Sequence, residues 1–222
     1  MSESKISICP QSCDPVFYES ISTDFKAAVK QKYQLPDQFL LSVGSIIERK
    51  NLLRVCKALA EVPEKIRLPL IVIGNGGGYK KTVQQYIQTS KLEKWVVFLS
   101  DFNQDSGKVF ITNEELAAIY KLSTAVIYAS IFEGWGIPVL EAMASGTPVV
   151  TSNISSMPEV GGNAVLYIDP FSKKSITAAF IQLIENTSLQ NSLKAKGLTQ
   201  AQLFNQQNCA KSVMNVYKEI LK

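Results

Sequence analysis

The 222-residue sequence contains no histidine. That excludes a Ser-His-Asp triad, a Cys-His nucleophile pair and any histidine-ligated metal within this chain. Cysteine is sparse. Of four, only Cys9 and Cys13 are close together, and with no histidine and no second pair nearby they do not make a zinc site. The four read as thiols in a reducing cytoplasm. No apolar run approaches the roughly 20 residues of a membrane-spanning helix. The opening MSESKISICPQSC lacks the apolar core of a signal peptide. A net charge of +4 is too mild for a nucleic-acid footprint. It permits an anionic substrate or contact with an acidic membrane surface and requires neither.

What is present is an ordinary globular composition, 46% apolar and 19% charged, which supplies a sizeable core. Short apolar runs rich in strand formers recur at 39–43 (FLLSV), 70–73, 95–99 (WVVFL), 125–129 (AVIYA), 147–151 and 163–169. Between them lie helical patterns at 52–60, 79–89 and 112–122. Asn51 is placed to cap the first, and Thr112 with Glu115 forms a capping box for the third. A polar loop is expected over 101–112, around Gly107, near the mouth of a site. A short helix at 25–33, capped by Thr23 or Asp24, precedes the first strand. Three helices at 174–185, 189–204 and 208–221 follow the last. The alternation predicts an α/β fold: a Rossmann-like, doubly wound parallel sheet with helices on both faces and extra C-terminal helices. Residues 1–36 read as a leading segment and 37–222 as the domain.

In such sheets ligands bind where the strands end, and the informative stretch is 131–150, IFEGWGIPVLEAMASGTPVV. Gly134 and Gly136 free the backbone for a tight turn, and Pro138 suits the first turn of a helix that Gly146 and Pro148 stop. Unpaired N–H groups at that helix start favour a phosphate. A carboxylate only accepts hydrogen bonds, so Glu133 before the helix and Glu141 one turn into it suit hydroxyls on either side of the phosphate. Hydroxyls, phosphates and hydroxyls again describe a nucleotide-sugar. Two other strand ends carry candidates: Gly44 with Arg49 and Lys50 after the first strand, and the glycine turn Gly74-Asn75-Gly76 after the second. As a dinucleotide fingerprint that turn fails, because the acid about 20 residues on is misplaced.

The segment EGWGIPVLE resembles the E-x7-E motif of family 4 retaining glycosyltransferases, which have two Rossmann-like domains (the GT-B fold). PEVGGNA at 158–164 resembles the family segment that closes over the donor, and CDPVF at 13–17 resembles the hinge before the second domain. The resemblance implies that the chain is the donor-binding half, with the acceptor domain absent and little activity alone. It implies no cofactor and a UDP-, GDP- or ADP-sugar as donor. It assigns Glu133 to the donor sugar, Glu141 to the ribose, and Lys50 with Arg49 to the diphosphate as catalytic cations. Gly134, Trp135, Gly136, Ile137, Gly44, Gly74, Asn75 and Gly76 then surround the substrate. The family arginine position holds Ser45, which leaves open whether Arg49 takes over. Trp135 stands where phenylalanine is commoner, with an altered sugar pocket expected. No Asp-x-Asp occurs, and no metal is expected. The partners implied are a saccharide or lipid-linked acceptor, with no nucleic acid and with peripheral membrane association of the whole enzyme. The alternative from another class is a non-catalytic nucleotide-binding module with the same pocket.

Overall fold

The computed structural model describes residues 6–101 and 110–221. Six strands form one parallel sheet: β1 (Leu40–Val43), β2 (Leu70–Ile73), β3 (Val96–Phe98), β4 (Ala125–Tyr128), β5 (Val149–Ser152) and β6 (Leu166–Ile168), in the order β3-β2-β1-β4-β5-β6. Between the strands run α2 (Leu52–Ala60), α3 (Gly78–Thr89), α4 (Asn113–Leu122), α5 (Ile137–Ala144) and the short α6 (Met157–Gly161). The chain opens with α1 (Thr23–Lys32) and closes with α7 (Lys173–Glu185), α8 (Thr187–Gln202) and α9 (Gln206–Ile220).

The pleat explains the near-continuous apolar runs. Successive side chains leave opposite faces of a strand, and both faces of this sheet are covered. Leu41, Ile71, Val126 and Tyr128 enter a core with α1, α4 and α5. Leu40, Leu70, Val72 and Ile127 enter a second core with α2, α3 and α7. The chain winds outward from β1 to β3, crosses back through α4, and winds outward again from β4 to β6. The direction therefore reverses between β1 and β4, where a doubly wound sheet opens its crevice.

Phe17, Val29, Tyr33 and Leu35 share one core with Phe39 and Leu41, so the segment before β1 folds onto the sheet. Ser22, not Thr23 or Asp24, caps α1, its hydroxyl accepting from the Phe25 amide at 3.2 Å. The Thr112–Glu115 capping box forms in both directions, each bond 3.2 Å long. Asn51 sits at the N-cap position of α2 without capping it. Its backbone is left-handed, φ 63°, and its side chain turns inward instead. The loop expected at 101–112 falls mainly on 102–109, outside the described residues. Of α9 only Cys209 is buried, while Val213, Met214, Tyr217 and Ile220 stay exposed. Among the described residues no helix is long and apolar enough to cross a membrane.

Candidate functional site

The candidate residues gather at the carboxyl edge of the sheet, on the loops after β1, β2 and β4. After β1 the chain makes a single 3-10 turn, Glu48–Lys50, that presents Arg49 and Lys50 together. Both reach Glu133 on the β4–α5 loop: Glu133 Oε1 lies 2.6 Å from Lys50 Nζ and 2.7 Å from Arg49 Nη1. Both contacts are ion pairs. Lys50 also bonds the Tyr128 hydroxyl and lies 4.6 Å from the centre of the Tyr128 ring. Burial pushes the Glu133 carboxyl up, but Lys50 and Arg49 beside it outweigh that and hold it below its ordinary value.

Backbone bonds tie the loops to one another. The Ile131 amide donates to the Arg49 carbonyl at 2.7 Å, and Arg49 Nη1 donates to the Phe132 carbonyl at 2.9 Å. Asn51 Nδ2 donates to the carbonyls of Ala129, at 3.0 Å, and Pro170, at 2.7 Å. From the β5–α6 loop, Ser155 Oγ accepts from the Glu133 amide at 3.0 Å and donates to its carbonyl at 2.7 Å. Ser156 Oγ lies 3.0 Å from the Trp135 carbonyl. The Glu133 backbone is therefore clamped while its side chain pairs with cations.

At the start of α5, Gly136 has φ 103°, a conformation that favours glycine, and a side chain there would strike Met157. By position the Gly136 and Ile137 amides have no intrahelical acceptor, and Pro138 has no N–H. One turn on, Glu141 Oε2 accepts from the Tyr120 hydroxyl at 2.8 Å. Burial pushes the Glu141 carboxyl up, partly offset by that hydroxyl.

Two expectations change. The Trp135 ring turns back onto the domain: its Nε1 donates to the Gln11 carbonyl at 2.9 Å, and the ring meets Phe204 edge-on, centroids 5.3 Å apart. The indole is taken up by the protein, which leaves the backbone of Trp135 on the loop. Gly74 and Gly76 serve a close approach, but to protein backbone. A Cβ on Gly74 would run into the Gly44 carbonyl, and one on Gly76 into that of Ile46. The two loops are joined by the Gly44 amide to the Ile73 carbonyl, 2.9 Å, and the Ile46 amide to the Asn75 carbonyl, 2.8 Å. Gly134 is exposed, with open space where a Cβ would be. A cavity of about 620 Å³ opens between α2 and α3, lined by Glu48, Arg54, Lys57 and Tyr79; it contains none of the candidate residues.

A family model described as glycosyl transferases group 1 matches residues 25–200. The chain belongs to that family. O-antigen chain mannosyltransferase B from Escherichia coli is 35% identical over 193 residues, which cover 86% of this chain and 48% of the relative. This chain thus spans about half the length of that relative. A glycosyltransferase from Rickettsia africae superposes with a TM-score of 0.84 at 19% identity, covering 100% of this chain and 59% of the other. Anabaena HepE, solved in complex with UDP-glucose, superposes at 0.77 with 19% identity, covering 94% and 55%. At such identities the superpositions establish the fold, half of a GT-B architecture.

Within this group 1 glycosyltransferase domain, three polar side chains at the site escaped the sequence analysis. Tyr120 lies within the helical pattern at 112–122 and Tyr128 within the apolar run at 125–129, and neither pattern marks a polar role. Asn51 carried a usable signal, because asparagine tolerates the left-handed conformation better than other non-glycine residues.

Proposed function

We propose that this chain is the donor-binding domain of a retaining glycosyltransferase. It would move a hexose from a nucleotide diphosphate-sugar to a saccharide or lipid-linked acceptor in polysaccharide biosynthesis. The observation that carries this is the convergence of Lys50 and Arg49 on Glu133, on the loop that leads into the start of α5, in a group 1 domain. The Escherichia coli relative's name supports mannose as the hexose, and the UDP-glucose complex of HepE supports a nucleotide-sugar ligand.

Cleavage of the sugar–phosphate bond leaves a diphosphate whose growing negative charge must be met. Lys50, Arg49 and the amides at the start of α5 supply that positive potential, without a resident metal. Glu133 leaves the cations as the diphosphate enters and accepts from a hydroxyl of the donor sugar. It positions the sugar and does not attack it. Glu141 accepts from the ribose. The acceptor is held by the half that this chain does not span, and the whole enzyme works in the cytoplasm or at the inner face of the membrane.

Calorimetric titration with UDP, GDP and ADP, without added metal, tests the site. One diphosphate is expected to bind, with Lys50→Ala and Glu141→Ala each weakening it about tenfold, or 1.4 kcal/mol. Binding that neither substitution changes would remove the donor-site assignment. Transfer by the full-length enzyme, with the anomeric configuration of donor and product followed by NMR, tests retention.

A further inference from the structure

We propose that Tyr120 is a positioning residue for the ribose: its hydroxyl fixes one oxygen of Glu141 so that the other faces the ribose hydroxyls. This rests on the assignment of Glu141 to the ribose. The two residues belong to different helices, Tyr120 to the crossover α4 and Glu141 to α5, and their side chains meet at 2.8 Å. Tyr120 is wholly buried, so its hydroxyl needs a partner inside the protein, and Glu141 provides it. The tyrosine is itself held in place. Its ring meets Phe17 edge-on at 5.6 Å, and its carbonyl accepts from Thr147 Oγ1 at 2.7 Å and Ser123 Oγ at 2.8 Å. A glutamate has three rotatable bonds, and neither Lys nor Arg pairs with Glu141 among the described residues. The donor on α4 removes that freedom. Burial pushes the tyrosine pKa well up, which keeps the hydroxyl a donor.

The test compares the ribonucleoside diphosphate that binds this chain with its 2′,3′-dideoxy analogue, using wild type, Tyr120→Phe and Glu141→Gln. The wild type is expected to prefer the ribose form, and Tyr120→Phe to lose at least about fivefold of that preference while binding the dideoxy form as before. A packing role alone would lower the melting temperature and leave the preference intact. Tyr120→Phe with the wild-type preference overturns the proposal. If Glu141→Gln also keeps it, the ribose assignment of Glu141 fails as well. Absence of binding by the wild-type chain overturns both. A second measurement needs no variant: the Tyr120 hydroxyl proton in NMR spectra should shift with the ribose form and not with the dideoxy form, and an unmoved proton sinks the idea.

Discussion

Glu133 is 2.6 Å from Lys50, and the pair is largely buried, with side-chain exposures of 8% and 14%. On the proposed function, a phosphate oxygen of the ligand would need the ground this carboxylate holds, and the two anions would compete for the same cations. Glu133→Gln is expected to tighten binding of a nucleoside diphosphate without its sugar about fivefold, close to 1 kcal/mol. Calorimetry on both chains checks this; equal or weaker binding by the variant would show that the pair does not compete with ligand.

The two glutamates carry opposite pH signatures. The folded Glu133 pKa lies below the ordinary value of 4.5, so its contribution to stability is present above that value and is lost as pH falls through the folded pKa. The folded Glu141 pKa is raised from 4.5, so its contribution is present below that value and is lost as pH rises through the folded pKa. Glu133→Gln should therefore destabilise the chain at neutral pH, by about 1–3 kcal/mol once the half-exposure of Arg49 is discounted, with the deficit closing in acid. Glu141→Gln should match or exceed wild type at neutral pH and lose that advantage in acid. Urea unfolding at about pH 7 and about pH 3.5 separates the two.

The sheet was legible because a parallel sheet covered on both faces leaves runs such as LIVI at 70–73 with no polar interruption. The start of α4 was legible because a capping box is written within four residues, Thr112 to Glu115. The site was legible as a placement: Gly44, Arg49, Lys50, the Gly74–Gly76 turn and Glu133 were expected where strands end, and the sheet sets them on the loops after β1, β2 and β4. Contacts made across the fold were not. Trp135 meets the Gln11 carbonyl from 124 residues away, and nothing local to an EGWG loop signals where its indole goes. Asn51 satisfied the residue preference of a helix cap, yet its φ of 63° turned the side chain toward two other loops. Gly74 and Gly76 looked like room for a ligand, whereas the room is filled by the neighbouring strand's loop.

The glycines of the site divide into two groups by substitution. Gly74→Ala places a Cβ against the Gly44 carbonyl, and Gly136→Ala holds alanine at φ 103°. Each is expected to cost about 1–3 kcal/mol. Gly134→Ala points its methyl into open space and should stay within about 0.5 kcal/mol of wild type. Urea unfolding of the three variants gives the ranking, and equal losses at Gly74 and Gly134 would contradict the packing described.

Asn51→Ala removes the donor to the Ala129 carbonyl and one of two donors to that of Pro170, which Arg54 Nη1 also reaches at 3.0 Å, and places alanine in a left-handed conformation. The expected loss is about 2–4 kcal/mol. Asn51→Gly relieves the backbone and not the carbonyls, so it should recover only part of that loss in the same unfolding measurement.

The bond from the Ile131 amide to the Arg49 carbonyl crosses the point where the sheet reverses direction. It fastens one wall of the crevice to the other. A socket fastened in this way has little loop entropy left to lose when a ligand arrives, so association should carry a small ordering penalty. On the proposed function, the event that would admit the ligand is the swing of the Glu133 side chain away from its two cations. Amide exchange at Ile131 would record how seldom the two walls part.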